Sequence, residues 1–178
     1  MSVANAKQTI LNPAMPFTEI IAGGLHPGEM IVIQGCVHNN ADSKYYLPLK
    51  EPSEFSTHSP KTFQFDLTCG CSTKPQADIA FHFNPRFSSS PQIVCNSLQH
   101  ENWGKEENID LMPFKQGASF ETIILVLCDV FKVAVNGVHI LEFKHRIPLD
   151  MVNTFSVSGK VELRAIGFIP DSVSDIHF

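Results

Sequence analysis

This chain is short of nearly everything that marks a chemical or membrane machine. Its 178 residues contain one tryptophan, two tyrosines and five cysteines. The cysteines (Cys36, Cys69, Cys71, Cys95 and Cys128) are odd in number, and most lie beside Val, Ile or Leu. Reduced, buried thiols in a cytosolic protein are therefore expected rather than a disulfide framework. Cys69-Gly70-Cys71 has no second pair or histidine cluster at zinc spacing, so no metal and no other cofactor is expected. No apolar run approaches the ~20 residues of a membrane span; the longest, Ile123 to Cys128, has the length of a buried strand. Met1 to Gln8 lack the apolar stretch of a secretory leader, which leads to an expectation of cytosolic synthesis. A net charge of -5 offers no electrostatic case for nucleic acid or an anionic membrane. No internal repeat and no long amphipathic helix is legible.

What is present is phenylalanine, 14 residues of it, spread over short segments with period-two alternation. The spacing predicts strands at Met30 to Val37, Thr62 to Thr68, Ala77 to Asn84, Gln92 to Leu98 and Phe120 to Cys128. Phe131 to Val135 and His139 to Phe143 follow, joined by Asn136-Gly137, a strong hairpin signal. Phe155 to Val157 and Val161 to Phe168 close the series around a Ser158-Gly159 turn. Many short strands without helices imply an all-β sandwich of two antiparallel sheets, with a jelly roll among the standard solutions.

One window carries the chemistry. His82, Asn84 and Arg86 stand at i, i+2 and i+4, so on a strand they share one face. Ile79, Phe81, Phe83 and Phe87 are apolar and alternate with them. The strand is expected to be half buried, with a phenylalanine ladder inward and an exposed polar ladder outward. Asn96, Trp103 and Glu106 follow closely. Arginine donates only, ionised glutamate accepts only, and asparagine does both, a set able to tell one hydroxyl orientation from another. An indole face suits the polarised C–H patch of a sugar ring. A lone Trp such as Trp103 is most often a core residue, but its flank Lys105-Glu106-Glu107-Asn108 is polar.

These residues resemble the signature of the galectins, β-galactoside-binding lectins with H-x-N-P-R, a later N, then W-G-x-E. His82, Asn84, Pro85, Arg86, Asn96, Trp103, Gly104 and Glu106 match throughout. Asn12-Pro13 with Pro16-Phe17, Val133 to Gly137 and His145-Arg146-Ile147-Pro148 extend the likeness, and the wording is nearest the amino-terminal domain of the galectin-eight type. The resemblance implies a non-enzymatic lectin with a shallow groove. His82, Asn84 and Arg86 would hold the galactose 4-hydroxyl, and Asn96 and Glu106 the 6-hydroxyl. Arg86 and Glu106 would reach the next sugar, and Trp103 would stack on galactose. Partners would be β-galactoside glycans on glycoproteins and glycolipids. Export by a signal-peptide-independent route, and a homodimer or second lectin domain, belong to the same expectation.

The domain is expected over residues 12–169, with an extension at 1–11, an insertion at 43–61 and a polar tail at 170–178. The insertion is expected to tune which extended glycans fit. In Thr62-Phe63-Gln64-Phe65-Asp66-Leu67 the polar residues face outward, and Gln64 is either an extra groove contact or part of a solvated strand face. Relative to the galectin-eight pattern, Thr62 and Gln76 stand where arginines favour sialylated or sulfated ligands, with Lys74 nearby as a point charge. Asn108 replaces an arginine that would help to orient Glu106. Two competing readings remain: a protein-interaction module on the same fold with a silent sugar site, and a glycosidase using Asp78 and Glu106. For the second, sequence shows no facing carboxylate pair about 5–10 Å apart.

Overall fold

The computed structural model describes residues 6–39 and 62–170. The chain is built of β1 (Gln8–Leu11), β2 (Phe17–Ile20), β3 (Met30–Val37), β4 (Phe63–Thr68), β5 (Ile79–Arg86), β6 (Gln92–Gln99) and β7 (Asn102–Trp103). There follow β8 (Glu107–Ile109), β9 (Ser119–Val126), β10 (Val130–Val135), β11 (Val138–Lys144), β12 (Thr154–Gly159) and β13 (Val161–Ile169), and among the described residues a 3-10 turn lies at Leu149–Met151. They form two antiparallel sheets. One has the order β1-β13-β3-β9-β10-β11; the other runs β2-β12-β4-β5-β6-β7, with β8 also paired to β6. This is the all-β sandwich the strand pattern implies.

Phenylalanine glues the sheets. Phe63, Phe65, Phe81 and Phe83 project from β4 and β5 onto Phe120, Phe131 and Phe143 of the facing sheet, and all are buried. Phe81 stacks on Phe131 at 5.2 Å and Phe63 on Phe120 at 5.9 Å, each pair inclined by 13°. Burying one such ring stabilises the fold by about 1.5–3 kcal/mol. The alternation therefore fixes which side of β4 and β5 faces in, and leaves the other side to the groove.

Four strands lie outside the sequence expectation. β1 falls in the segment read as an extension, yet it pairs along β13 from Gln8↔Phe168 to Leu11↔Ala165. β2 enters only through the resemblance of Pro16-Phe17. β7 and β8 are short and polar, and form because β6 offers them a free edge (Leu98↔Trp103, Val94↔Asn108). The cysteine expectation needs correction too. All five are free, but Cys71 and Cys128 are exposed, because their neighbours sit in turns rather than strands. Only Cys95 is buried. Burial pushes its thiol far up, Glu107 adds to the shift and Arg146 opposes it. Burial, then Asp78, raises the Cys69 thiol. The insertion at 43–61, the tail beyond residue 170 and their expected roles lie outside the described residues.

Candidate functional site

β5 is the floor of the site. Its neighbours are β4, with Asp66 opposite His82, and β6, with Asn96 opposite His82 and Gln92 opposite Arg86. A bulge between Ile79 and His82 re-aims the strand's first residues. The polar ladder does not stand in open solvent as expected. His82 is 7 % exposed, Asn84 5 % and Asn96 3 %, because each is held by neighbours on the same face.

The holding contacts explain why these residue types are needed. His82 Nδ1 lies 2.6 Å from Asp66 Oδ1. A carboxylate can only accept, so it places the ring proton on Nδ1 and turns Nε2 toward the groove. Gln64 Nε2 donates to the other oxygen, Asp66 Oδ2, at 2.6 Å. Gln64 therefore lies on the groove floor and supports His82 through Asp66. Asn84 Nδ2 donates to Phe63 O at 2.7 Å and to Thr62 Oγ1, and Thr62 Oγ1 donates onward to Pro85 O at 2.7 Å. With its amide committed, Asn84 Oδ1 accepts from Arg86 Nε at 2.8 Å and orients the guanidinium. Arg86 Nη2 then faces Glu106 Oε1 at 3.8 Å, both side chains about half exposed.

The wall comes from the β6–β8 edge. Trp103 is 51 % exposed, which settles its alternatives: it is not core. Its ring stands 4.9 Å from the His82 ring, tilted by 58°. Asn96 Nδ2 donates to Gly104 O at 3.0 Å and Gly104 N–H donates to Ser97 O at 2.9 Å, drawing the chain in just after the indole. The β6–β7 turn, His100-Glu101, has φ of 50° and 63°, and Asp78 Oδ1 accepts the His100 N–H at 2.8 Å. Asp78, considered above as a catalytic carboxylate, is thus engaged with that turn.

Gly104 is required by space. A Cβ there would sit 2.9 Å from Arg146 Nη1 and 3.2 Å from both Asn96 Oδ1 and Ser97 Oγ. Gly104→Ala is expected to cost about 1–3 kcal/mol of stability and to displace the Trp103 wall. Thermal melting and lactose titration of the variant check this; an unchanged pair of values refutes the packing account.

Sequence reasoning placed His82, Asn84, Arg86, Asn96, Trp103, Glu106 and Gln64, and the structure gathers all seven around one groove. It missed two supports. Asp66 was grouped with the outward residues of β4 but not paired with His82; its i+2 relation to Gln64 was the available signal. Arg146, which reaches Asn96 from the connection after β11, enters the sequence reading only as part of the His145-Arg146-Ile147-Pro148 likeness and carries no role there. The departure at Asn108 is exposed on β8, paired to Val94. Lys74 and Gln76 are exposed in the β4–β5 connection.

Comparison with known proteins finds relatives over most of the chain. Residues 16–168 match the family model described as galactoside-binding lectin. The chain is 42 % identical over 168 residues to galectin-8 of Rattus norvegicus, covering 94 % of this chain and 47 % of that protein. It is 36 % identical over 161 residues to galectin-12 of Homo sapiens, covering 90 % and 42 % respectively. It thus spans about half the length of the curated relatives it matches. Among solved structures, a variant of human galectin-16 superposes with a TM-score of 0.70 at 27 % identity, over 89 % of this chain and 98 % of that one.

Proposed function

We propose, of a chain that belongs to the galectin family of galactoside-binding lectins, that its β4–β5–β6 groove binds β-galactosides of the lactose and N-acetyllactosamine type. Galectins are non-enzymatic lectins, and the reading adds no bond-making step. The observation that carries it is the pre-built floor. Nε2 of His82, the guanidinium of Arg86 and the half-exposed Trp103 face converge on one side of β5, each held before any ligand arrives.

In this reading the galactose 4-hydroxyl meets His82, Asn84 and Arg86. With its proton on Nδ1 toward Asp66, the imidazole accepts at Nε2 while Arg86 donates, so an axial hydroxyl satisfies both and an equatorial one leaves them unpaired. Asn96 and Glu106 take the 6-hydroxyl. Arg86 and Glu106 extend to the following sugar, and Trp103 covers the apolar face of galactose. Gln64 borders the groove beyond His82. The partners are β-galactoside glycans on glycoproteins and glycolipids, and crosslinking them calls for a homodimer or a second lectin domain. Cytosolic synthesis with signal-peptide-independent export is proposed on family membership alone.

Anion preference follows from what the rim lacks. Thr62 spends its hydroxyl on Pro85 O, and Gln76 is neutral, so neither offers a bidentate grip on a carboxylate or sulfate. The protein is expected to be retained on immobilised lactose and eluted by free lactose. In titration calorimetry it is expected to bind neutral β-galactosides more tightly than 3-sialylated ones. No retention would leave a protein-interaction module with a silent site; tighter sialylated binding would assign Lys74 the anion role.

A further inference from the structure

We infer that Arg146, which lies behind the groove and reaches it only through the Asn96 amide, is the positioning residue for the whole Trp103–Glu107 wall. The inference rests on the galactoside reading for its effect on affinity, but not for its geometry.

The guanidinium stands behind the wall with all four of its terminal N–H bonds spent. Nη1 donates to Asn96 Oδ1 at 3.0 Å and to Ser97 Oγ at 3.3 Å. Nη2 donates to Lys105 O and to Glu107 Oε1, each at 2.8 Å. These acceptors belong to two separate stretches, the end of β6 and the segment after Trp103. One planar group therefore pins a backbone carbonyl and a side chain of the wall to the strand that forms its base. The guanidinium also lies over the Phe143 ring, with its carbon 4.7 Å from the ring centroid. A Cβ added at Gly104 would meet the same group at 2.9 Å.

Two consequences reach the groove. Asn96 is kept in one amide orientation: its oxygen accepts from Arg146 and from Ser97 N, which leaves its nitrogen for Gly104 O. The neighbouring carboxylates Glu106 and Glu107 are also sorted. Glu107 is drawn back to Arg146 and Glu106 forward to Arg86. Without the rear guanidinium Glu107 would lose its partner, and Asn96 Oδ1 would keep only the Ser97 N–H.

Lysine does not substitute. Its ammonium has three donors on one point and lacks the flat fork that spans four acceptors. The test uses the intact chain and the fact that Trp103 is the only indole. Time-resolved anisotropy of Trp103 is measured without sugar, well below the melting temperature, and lactose affinity by calorimetry. Arg146→Met and Arg146→Lys are both expected to increase local Trp103 motion and to weaken lactose binding at least about tenfold, or about 1.4 kcal/mol. Should Arg146→Met fail to fold, Arg146→Lys carries the test. Wild-type anisotropy and affinity in the lysine variant would overturn the inference. Increased Trp103 motion in a protein whose wild type ignores lactose would uphold the clamp and overturn the sugar reading instead.

Discussion

Arg86→Ala is expected to abolish retention on immobilised lactose while leaving the protein folded. The side chain is about half exposed and its distance to Glu106 is 3.8 Å. A pair of that kind contributes no more than about 1 kcal/mol to stability. Its removal opens no cavity in the phenylalanine core, because Arg86 sits on the opposite side of β5. Binding is another matter. Arg86 is the floor's donor-only group, oriented by Asn84, and it faces both the galactose 4-hydroxyl and the next sugar in the proposed pose. Losing a charge-assisted donor while leaving Glu106 and Asn84 Oδ1 unpartnered should weaken lactose binding by about 100-fold, or roughly 2–3 kcal/mol. Trp103→Ala should lose retention as well, through the stacking face rather than through hydrogen bonds. Affinity chromatography beside a thermal melt separates the outcomes; retention of either variant would overturn the site assignment.

Asp66→Ala should damage both stability and binding. The carboxylate is 5 % exposed and is engaged on both oxygens, by His82 Nδ1 and by Gln64 Nε2. Removing it leaves one buried donor, His82, and one half-buried donor, Gln64, without an acceptor, at a cost of about 2–3 kcal/mol. His82 also loses the partner that fixes its tautomer and ring orientation, so lactose affinity should fall by at least about tenfold. Asp66→Asn makes the diagnostic contrast. An asparagine amide that donates to Nδ1 would force the ring proton to Nε2, turning the groove-facing nitrogen from acceptor to donor. That variant should keep most of its stability and still lose affinity. Nitrogen shifts of the His82 ring report the tautomer directly. If both variants bind lactose as the wild type does, Asp66 has no role in orienting the floor.

The two experiments mark where the sequence was legible. The i, i+2, i+4 placement of His82, Asn84 and Arg86 could be read because a strand's pleat turns spacing into geometry. The phenylalanine alternation made the side of each strand equally readable. The structure adds that this polar face is buried among its own partners, which no single-strand pattern reveals. Asp66 was on the correct face, but pairing it with His82 needs the β4–β5 register, set by the whole sheet. Arg146 lies 50 residues from Asn96 in sequence, and the contact depends on how the β11 connection folds over the β6 edge. β7 and β8 were missed for a related reason. They contain almost no apolar alternation, so only the free edge of β6 makes them strands.

The alternation along β5 also limits how such a protein can change over time. Neighbouring residues of this strand serve opposite masters, Phe81 and Phe83 the interior, His82 and Asn84 the groove. A substitution can alter one without disturbing the other. A gain or loss of a single residue between Phe81 and Arg86 cannot, because it would send rings into the groove and an imidazole into the core. Variation in length is therefore excluded from the floor. Novelty in ligand choice must come by exchange of side chains there, or by lengthening the connections that frame it.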